Sequence, residues 1–200
     1  MSDASSDAAS DSPAAADALD PASLAALREE FGTVVYDLDG TLVDLVVDWG
    51  AVADDVIAVY EDAGAEPPGD GLWELLGSAP EYGLEAEVEA AIAAHEREGA
   101  RASTRLPHAD ALDPATAGRT AVCSLNCEDA CRIALDAHGL TPGVAAVVGR
   151  DTVSTHKPDP EPLLSAVERV GGDPEDAVFV GDSERDAVTA ERAGIAFRWV

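Results

Sequence analysis

The chain has 200 residues, enough for one or two domains with a sizeable core, and 46% of it is hydrophobic, which separates it from acidic disordered chains. Forty acidic residues face twelve basic ones, giving a net charge of -28, so no basic face is available for nucleic acid. Self-repulsion on this scale destabilises a fold in dilute buffer and is screened in molar salt, where the Debye length is about 3 Å, so a halophilic source is expected.

Residues 1–20 are rich in Ser, Ala, Asp and Pro, with little to bury, and read as a disordered acidic tail. From Pro21, the spacing of Leu24, Leu27 and Phe31 predicts a short helix ending at Gly32. Thr33-Val34-Val35-Tyr36 is a short β-branched and aromatic run that predicts a buried strand. Residues 43–105 are helical in pattern, without a convincing strand. One face carries Val52, Val56, Val59 and Tyr60, and another Leu84, Val88, Ala91, Ile92 and His95, with Leu72, Trp73, Leu75 and Leu76 between as a short helix or packed loop. This segment predicts an inserted helical cap between the two parts of a core, 21–42 and 106–200.

Beyond Pro107, strand and helix alternate. Strands are expected at Thr120–Ser124, Val144–Val148, Ala177–Val180 and Ile195–Trp199, with helices at Glu128–His138, Pro160–Val170 and Glu184–Ala193. Such alternation implies right-handed crossovers, and so an α/β fold whose mainly parallel sheet has helices on both faces. The amino terminus has neither the basic start nor the apolar core of a signal peptide, and no apolar run reaches about 18 residues, so no membrane span is expected. Cys123, Cys127 and Cys131, four apart, fit either a three-thiolate metal site, for which no fourth ligand lies nearby, or small buried thiols. Free thiols suit a reducing compartment, so a cytoplasmic protein is expected.

Four polar groups stand at strand ends or stiff loops. Asp37 and Asp39 follow the first strand, project to the same side by alternation, and precede Gly40 and Thr41; they are paired acids for chemistry or an acidic turn. Ser124, with the N–H groups opening the next helix, suits a phosphate oxygen, or caps that helix. Lys157 is the one lysine beside eleven arginines, in the stiff loop His156-Lys157-Pro158-Asp159-Pro160, as a fixed cation or as solvated surface. Asp182 and Asp186, after Val180-Gly181, suit a hard cation bound through oxygen, or cap a helix.

Taken in order, Asp-x-Asp-Gly-Thr, the strand-end Ser, Lys-Pro and Gly-Asp-x-x-x-Asp resemble the haloacid dehalogenase superfamily over about 33–200. The helical insert is similar to the cap of its phosphoglycolate phosphatase-like branch, though short for that type. The resemblance implies a Rossmann-like core and a Mg2+-dependent phosphatase acting on a small phosphorylated metabolite. Asp37 would be the nucleophile and Asp39 the general acid and base. Mg2+ would be held by Asp37, the Asp39 carbonyl and Asp182, with Asp186 supporting; Thr41, Ser124, Leu125 and Lys157 would form the phosphate site, with Thr41 also helping to position Asp39. The second acid favours ester hydrolysis over dehalogenation, because halide needs no proton to leave. Two other functions stay open, a catalytically weak phosphate-binding regulatory module and a phosphosugar mutase. Asp44-Leu45 in place of Asp-Ser, and Leu125 between Ser124 and Asn126, depart from the branch pattern. In the insert, Asp48, Trp49, Trp73, Arg97, Arg101 and Arg105 are substrate-contact candidates, with packing or solvated surface the alternative for each.

Overall fold

The computed structural model describes residues 19–200. The acidic tail reading therefore lies outside the described residues except at its end, where Leu19 and Asp20 belong to the fold: Leu19 N–H donates to the Trp199 carbonyl, and Asp20 caps the first helix by accepting from Ser23 N–H.

A five-stranded, wholly parallel sheet runs through the molecule. Its strands are β1 (Thr33–Tyr36), β4 (Thr120–Cys123), β5 (Ala146–Val148), β6 (Ala177–Gly181) and β7 (Ala196–Trp199), in the order β5-β4-β1-β6-β7. Near-continuous Val, Ala and Phe let the central strands be buried on both faces. Val34, Tyr36, Val122, Val178 and Val180 face α1 (Pro21–Glu30) and α5 (Glu128–Ala137) in one core cluster. Val35, Ala121, Cys123 and Phe179 alternate to the other face, under α6 (Glu161–Arg169) and α7 (Glu184–Ala193). The chain builds outward from β1 to β4 and β5, then returns to β6 on the other side. The switch in direction thus lies between β1 and β6, where open α/β sheets leave a crevice beyond the strand ends.

The insert consists of α2 (Trp49–Asp62), α3 (Leu72–Tyr82) and α4 (Glu85–Arg101), closed on Val52, Val56, Tyr60, Leu75, Ala79, Val88 and Ile92. Residues 72–76, which allowed a helix or a packed loop, are helical. One expectation fails: the insert is not free of strands. Val43–Asp44 (β2) pairs antiparallel with Thr104–Arg105 (β3), fastening its two roots together. Helix α4 is also anchored to the core, where Ala93 and Ala100 are buried in the first cluster. Gly99 packs so closely on Val46 and Val47 that a Cβ there would lie 2.7 Å from the Val46 carbonyl oxygen. The second part of the insert is thus a fixed wall beside the sheet. Among the described residues, no helix is long and apolar enough to cross a membrane.

The three cysteines are free and buried on or beside the sheet. Cys127 precedes α5 and Cys131 lies within it; neither groups with Cys123 as metal ligands among the described residues. Burial pushes the Cys123 and Cys127 thiols up to about 12, and Cys131 is raised in the same way. The thiolate, the form that alkylates, is therefore scarce at pH 8. Iodoacetamide is expected to leave all three thiols unmodified in the native protein and to label all three after denaturation; rapid native labelling would contradict this burial.

Candidate functional site

Beyond β1 the chain makes a tight loop that the sequence can form only with glycine at residue 40. Gly40 has φ +80°, and a Cβ there would collide with the Asp182 carboxylate. The loop is closed by Gly40 N–H to Val43 O and Leu42 N–H to Leu38 O, while Leu38 turns into the core. Asp37 and Asp39 are left lining one cavity of about 230 Å3, joined there by Ser124, Leu125, Lys157 and Asp182. Gly40→Ala is expected to reduce any activity of this site at least about tenfold, and to destabilise the fold by about 1 kcal/mol or more from the left-handed backbone alone; wild-type rates and wild-type urea midpoint would contradict the loop geometry.

Lys157 reaches the floor of the cavity, 2% exposed, with Nζ 2.9 Å from Asp37 Oδ1 and 2.5 Å from Asp186 Oδ1. Its ammonium opposes desolvation with two carboxylates, and the balance holds its pKa above the ordinary lysine value. Asp186 is fully buried, and its second oxygen accepts from Ser183 N–H and Oγ, completing the capping box of α7. Ser183, rather than Asp182, is the cap, which leaves the Asp182 carboxylate free toward the cavity. Burial pushes Asp37 up to about 7 against the opposing charge of Lys157, with Asp186 adding to the rise. Burial likewise raises Asp39 and Asp182; Asp39 Oδ1 accepts from Leu45 N–H at 2.8 Å. Because that bond comes from the backbone, the departure at Leu45 leaves the orientation of Asp39 intact.

Carboxylate oxygens of Asp37, Asp182 and Asp186 all lie within 4.8 Å of one another. An all-oxygen acidic donor set suits a hard divalent cation of the Mg2+ type. Asp186, with both oxygens already engaged, fits support better than direct ligation. The residues present thus fit a hard divalent cation.

Three expectations need correction. The N–H groups opening α5 are not free for phosphate: Cys127 N–H donates to Glu96 Oε2 and Glu128 N–H to Asp151 Oδ1. Ser124 is not the helix cap either; its hydroxyl accepts from Asn126 N–H and Nδ2, and it lines the cavity beside Leu125 and Asn126. Thr41 does not line the cavity. It is fully buried, its Oγ1 makes no hydrogen bond among the described residues, and Asp182 is the carboxylate it influences, so its link to Asp39 is through the loop backbone. Of the insert candidates, Trp49 and Trp73 line the cavity, whereas Asp48 caps α2, Arg101 pairs with Glu98 and Arg105 with Asp110.

Sequence reasoning missed Arg150 and Glu96. Arg150, just beyond β5, reaches across to α4 and pairs with Glu96 and Glu89, forming part of the cavity wall. Burial opposes the charge on Arg150, but the two glutamates outweigh it and hold the guanidinium above its usual range. The one local signal was a charged residue two positions after a strand.

The structure thus gathers carboxylates of Asp37, Asp39 and Asp182 and the buried Lys157 ammonium in one cavity at the carboxyl ends of a parallel sheet. Residues 115–200 match the model of the haloacid dehalogenase-like hydrolases. The chain is 31% identical over 183 residues to a phosphoglycolate phosphatase of Rhodospirillum rubrum, covering 81% of this chain and 76% of that protein. It is 33% identical over 183 residues to one from Cereibacter sphaeroides, covering 82% of each. Among solved structures, a HAD-superfamily hydrolase of subfamily IA from Geobacter sulfurreducens superposes with a TM-score of 0.55 at 26% identity, over 84% of this chain and 88% of that one. The chain belongs to the haloacid dehalogenase-like hydrolases.

Proposed function

We propose that this protein is a Mg2+-dependent phosphatase that hydrolyses a small phosphate monoester through an aspartyl-phosphate at Asp37. The observation that carries the reading is the buried Lys157 clamped between Asp37 and Asp186 on the floor of a cavity whose rim includes Asp39 and Asp182. The names of the relatives, phosphatases of a small phosphorylated acid, support the reaction class. Segment 43–105 acts as the cap that selects the alcohol.

Asp37 attacks phosphorus, and the bond from phosphorus to the ester oxygen breaks. Asp39, whose raised pKa favours the protonated form, gives its proton to the departing alkoxide. A water then attacks phosphorus, Asp39 takes a proton from it, and the bond between phosphorus and the Asp37 oxygen breaks, so ester and water become alcohol and inorganic phosphate. Lys157 and the Ser124 hydroxyl contact phosphoryl oxygens. Lys157 also offsets the repulsion of carboxylate and phosphate, about 4 kcal/mol for two unit charges at 4 Å with an effective dielectric of 20. Asp37, the Asp39 carbonyl and Asp182 would hold the cation, with Asp186 fixing Lys157. A bound Mg2+ supplies charge neutralisation and keeps Asp37 ionised.

A broad phosphate-ester panel in molar KCl tests this. Phosphate release is expected with Mg2+ and is lost on chelation; a folded sample inactive on every ester would favour a phosphate-binding regulatory module, and phosphoryl transfer to sugars in place of free phosphate would favour a mutase. The net charge of -28 supports a halophilic enzyme. Three free thiols support a cytoplasmic location.

A further inference from the structure

The apolar wall of the cavity bears on the leaving group, an inference that rests on the phosphatase reading. That wall is made by Trp49 of α2, by Leu72, Trp73 and Leu76 of α3, by Ile92 of α4 and by Leu125. It is apolar except for the N–H groups of its two indoles.

A substrate with a second full negative charge, such as the carboxylate of phosphoglycolate, is best met by an available cation there. Two cationic side chains line the cavity among the described residues, Lys157 and Arg150. Lys157 belongs to the phosphoryl end. Arg150 has no donor left: Nε and Nη2 donate to Glu89, Nη1 to Glu96 Oε1 and the Leu125 carbonyl, and Nη2 also to Glu96 Oε2. A guanidinium has five N–H groups, and five are used. Glu96 is wholly buried and is also tied to Cys127 N–H, so it does not readily yield its place to a substrate carboxylate. Arg185 lies with its guanidinium 4.4 Å from the centroid of the Trp73 ring and does not line the cavity. Arg150 enters the lining already paired with Glu96 and Glu89, so this group presents no net positive charge to a second anion.

The volume narrows the choice further. About 230 Å3 is below the roughly 300–1,000 Å3 of pockets for drug-sized ligands, so the phosphoryl group leaves room for about one ring. We infer that the preferred substrate is the monophosphate of a compact apolar or aromatic alcohol without a second negative charge, and that phosphoglycolate is a poor substrate. The indoles of Trp49 and Trp73 supply the flat surface against which the ring packs.

Initial rates on benzyl phosphate, ethyl phosphate and phosphoglycolate, in molar KCl with Mg2+, test this. The expected kcat/KM for benzyl phosphate exceeds that for ethyl phosphate by roughly tenfold or more, the scale of discrimination an apolar pocket provides. Phosphoglycolate is expected at or below ethyl phosphate. Trp73→Ala is expected to lower the benzyl-to-ethyl ratio several-fold; if that variant does not fold, the wild-type ratios decide. Phosphoglycolate above ethyl phosphate, or a benzyl-to-ethyl ratio below about tenfold, would overturn the inference while leaving the phosphatase reading in place. No turnover of any ester would overturn both.

Discussion

Asp37→Asn is expected to reduce phosphate-ester turnover by roughly 10^4-fold or more, the scale seen when a covalent nucleophile is removed, while the protein stays folded. The amide is close in shape to the carboxylate and keeps an oxygen that can accept from Lys157 Nζ, so packing around a nearly buried side chain is preserved. Removing one of two carboxylates beside the ammonium also lessens crowding of like charge with Asp186. Retained or raised thermal stability with lost turnover thus separates chemistry from folding. Activity within tenfold of wild type would remove Asp37 from the role of nucleophile.

Lys157→Met carries the second large effect, and it falls on both stability and rate. The ammonium is 2% exposed and holds Asp37 and Asp186 together; without it, two buried carboxylates face each other with no counter-charge. Breaking a buried pair by removing one partner costs about 3–5 kcal/mol. Urea denaturation should show a loss of that size, with phosphate release reduced to near background. Adding Asp37→Asn to Lys157→Met should recover part of the stability and none of the activity, because the uncompensated charge is then reduced. A Lys157→Met protein as stable as wild type would mean that the ion pairs at the cavity floor contribute little.

The core was legible in the sequence because its strands are short and apolar, and β4, β5 and β6 each lead to a helix with a clear stop. Gly139 and Gly171, both at φ +67°, follow α5 and α6, and Gly194 at φ +69° ends α7. The polar groups of the site were legible for the same reason: Asp37, Ser124 and Asp182 directly follow strands, where a parallel sheet delivers them to one edge. The two-residue strands β2 and β3 left no trace, since a ladder that short has no period to detect. The Arg150–Glu96 pair was equally hidden. Its partners stand 54 positions apart, and a glutamate on a helix in a chain with forty acidic residues looks like one more solvated charge until the fold buries it. The occupied N–H groups of α5 follow from the same contact. Sequence suggested a free helix start; packing of α4 on α5 put the Glu96 carboxylate there first.

The covalent step at Asp37 is tested most directly with Asp39→Asn and p-nitrophenyl phosphate. Nitrophenolate needs no proton to leave, so the first transfer proceeds without Asp39, whereas attack of water on the phosphorylated carboxylate lacks its base. With Mg2+ in molar KCl, a burst of nitrophenolate equal to the enzyme concentration is expected, followed by slow phosphate release, and acid-quenched peptide mapping should locate one phosphoryl group on Asp37. Phosphate and nitrophenolate released together from the first turnover, with no phosphoryl group on the Asp37 peptide, would contradict the aspartyl-phosphate route.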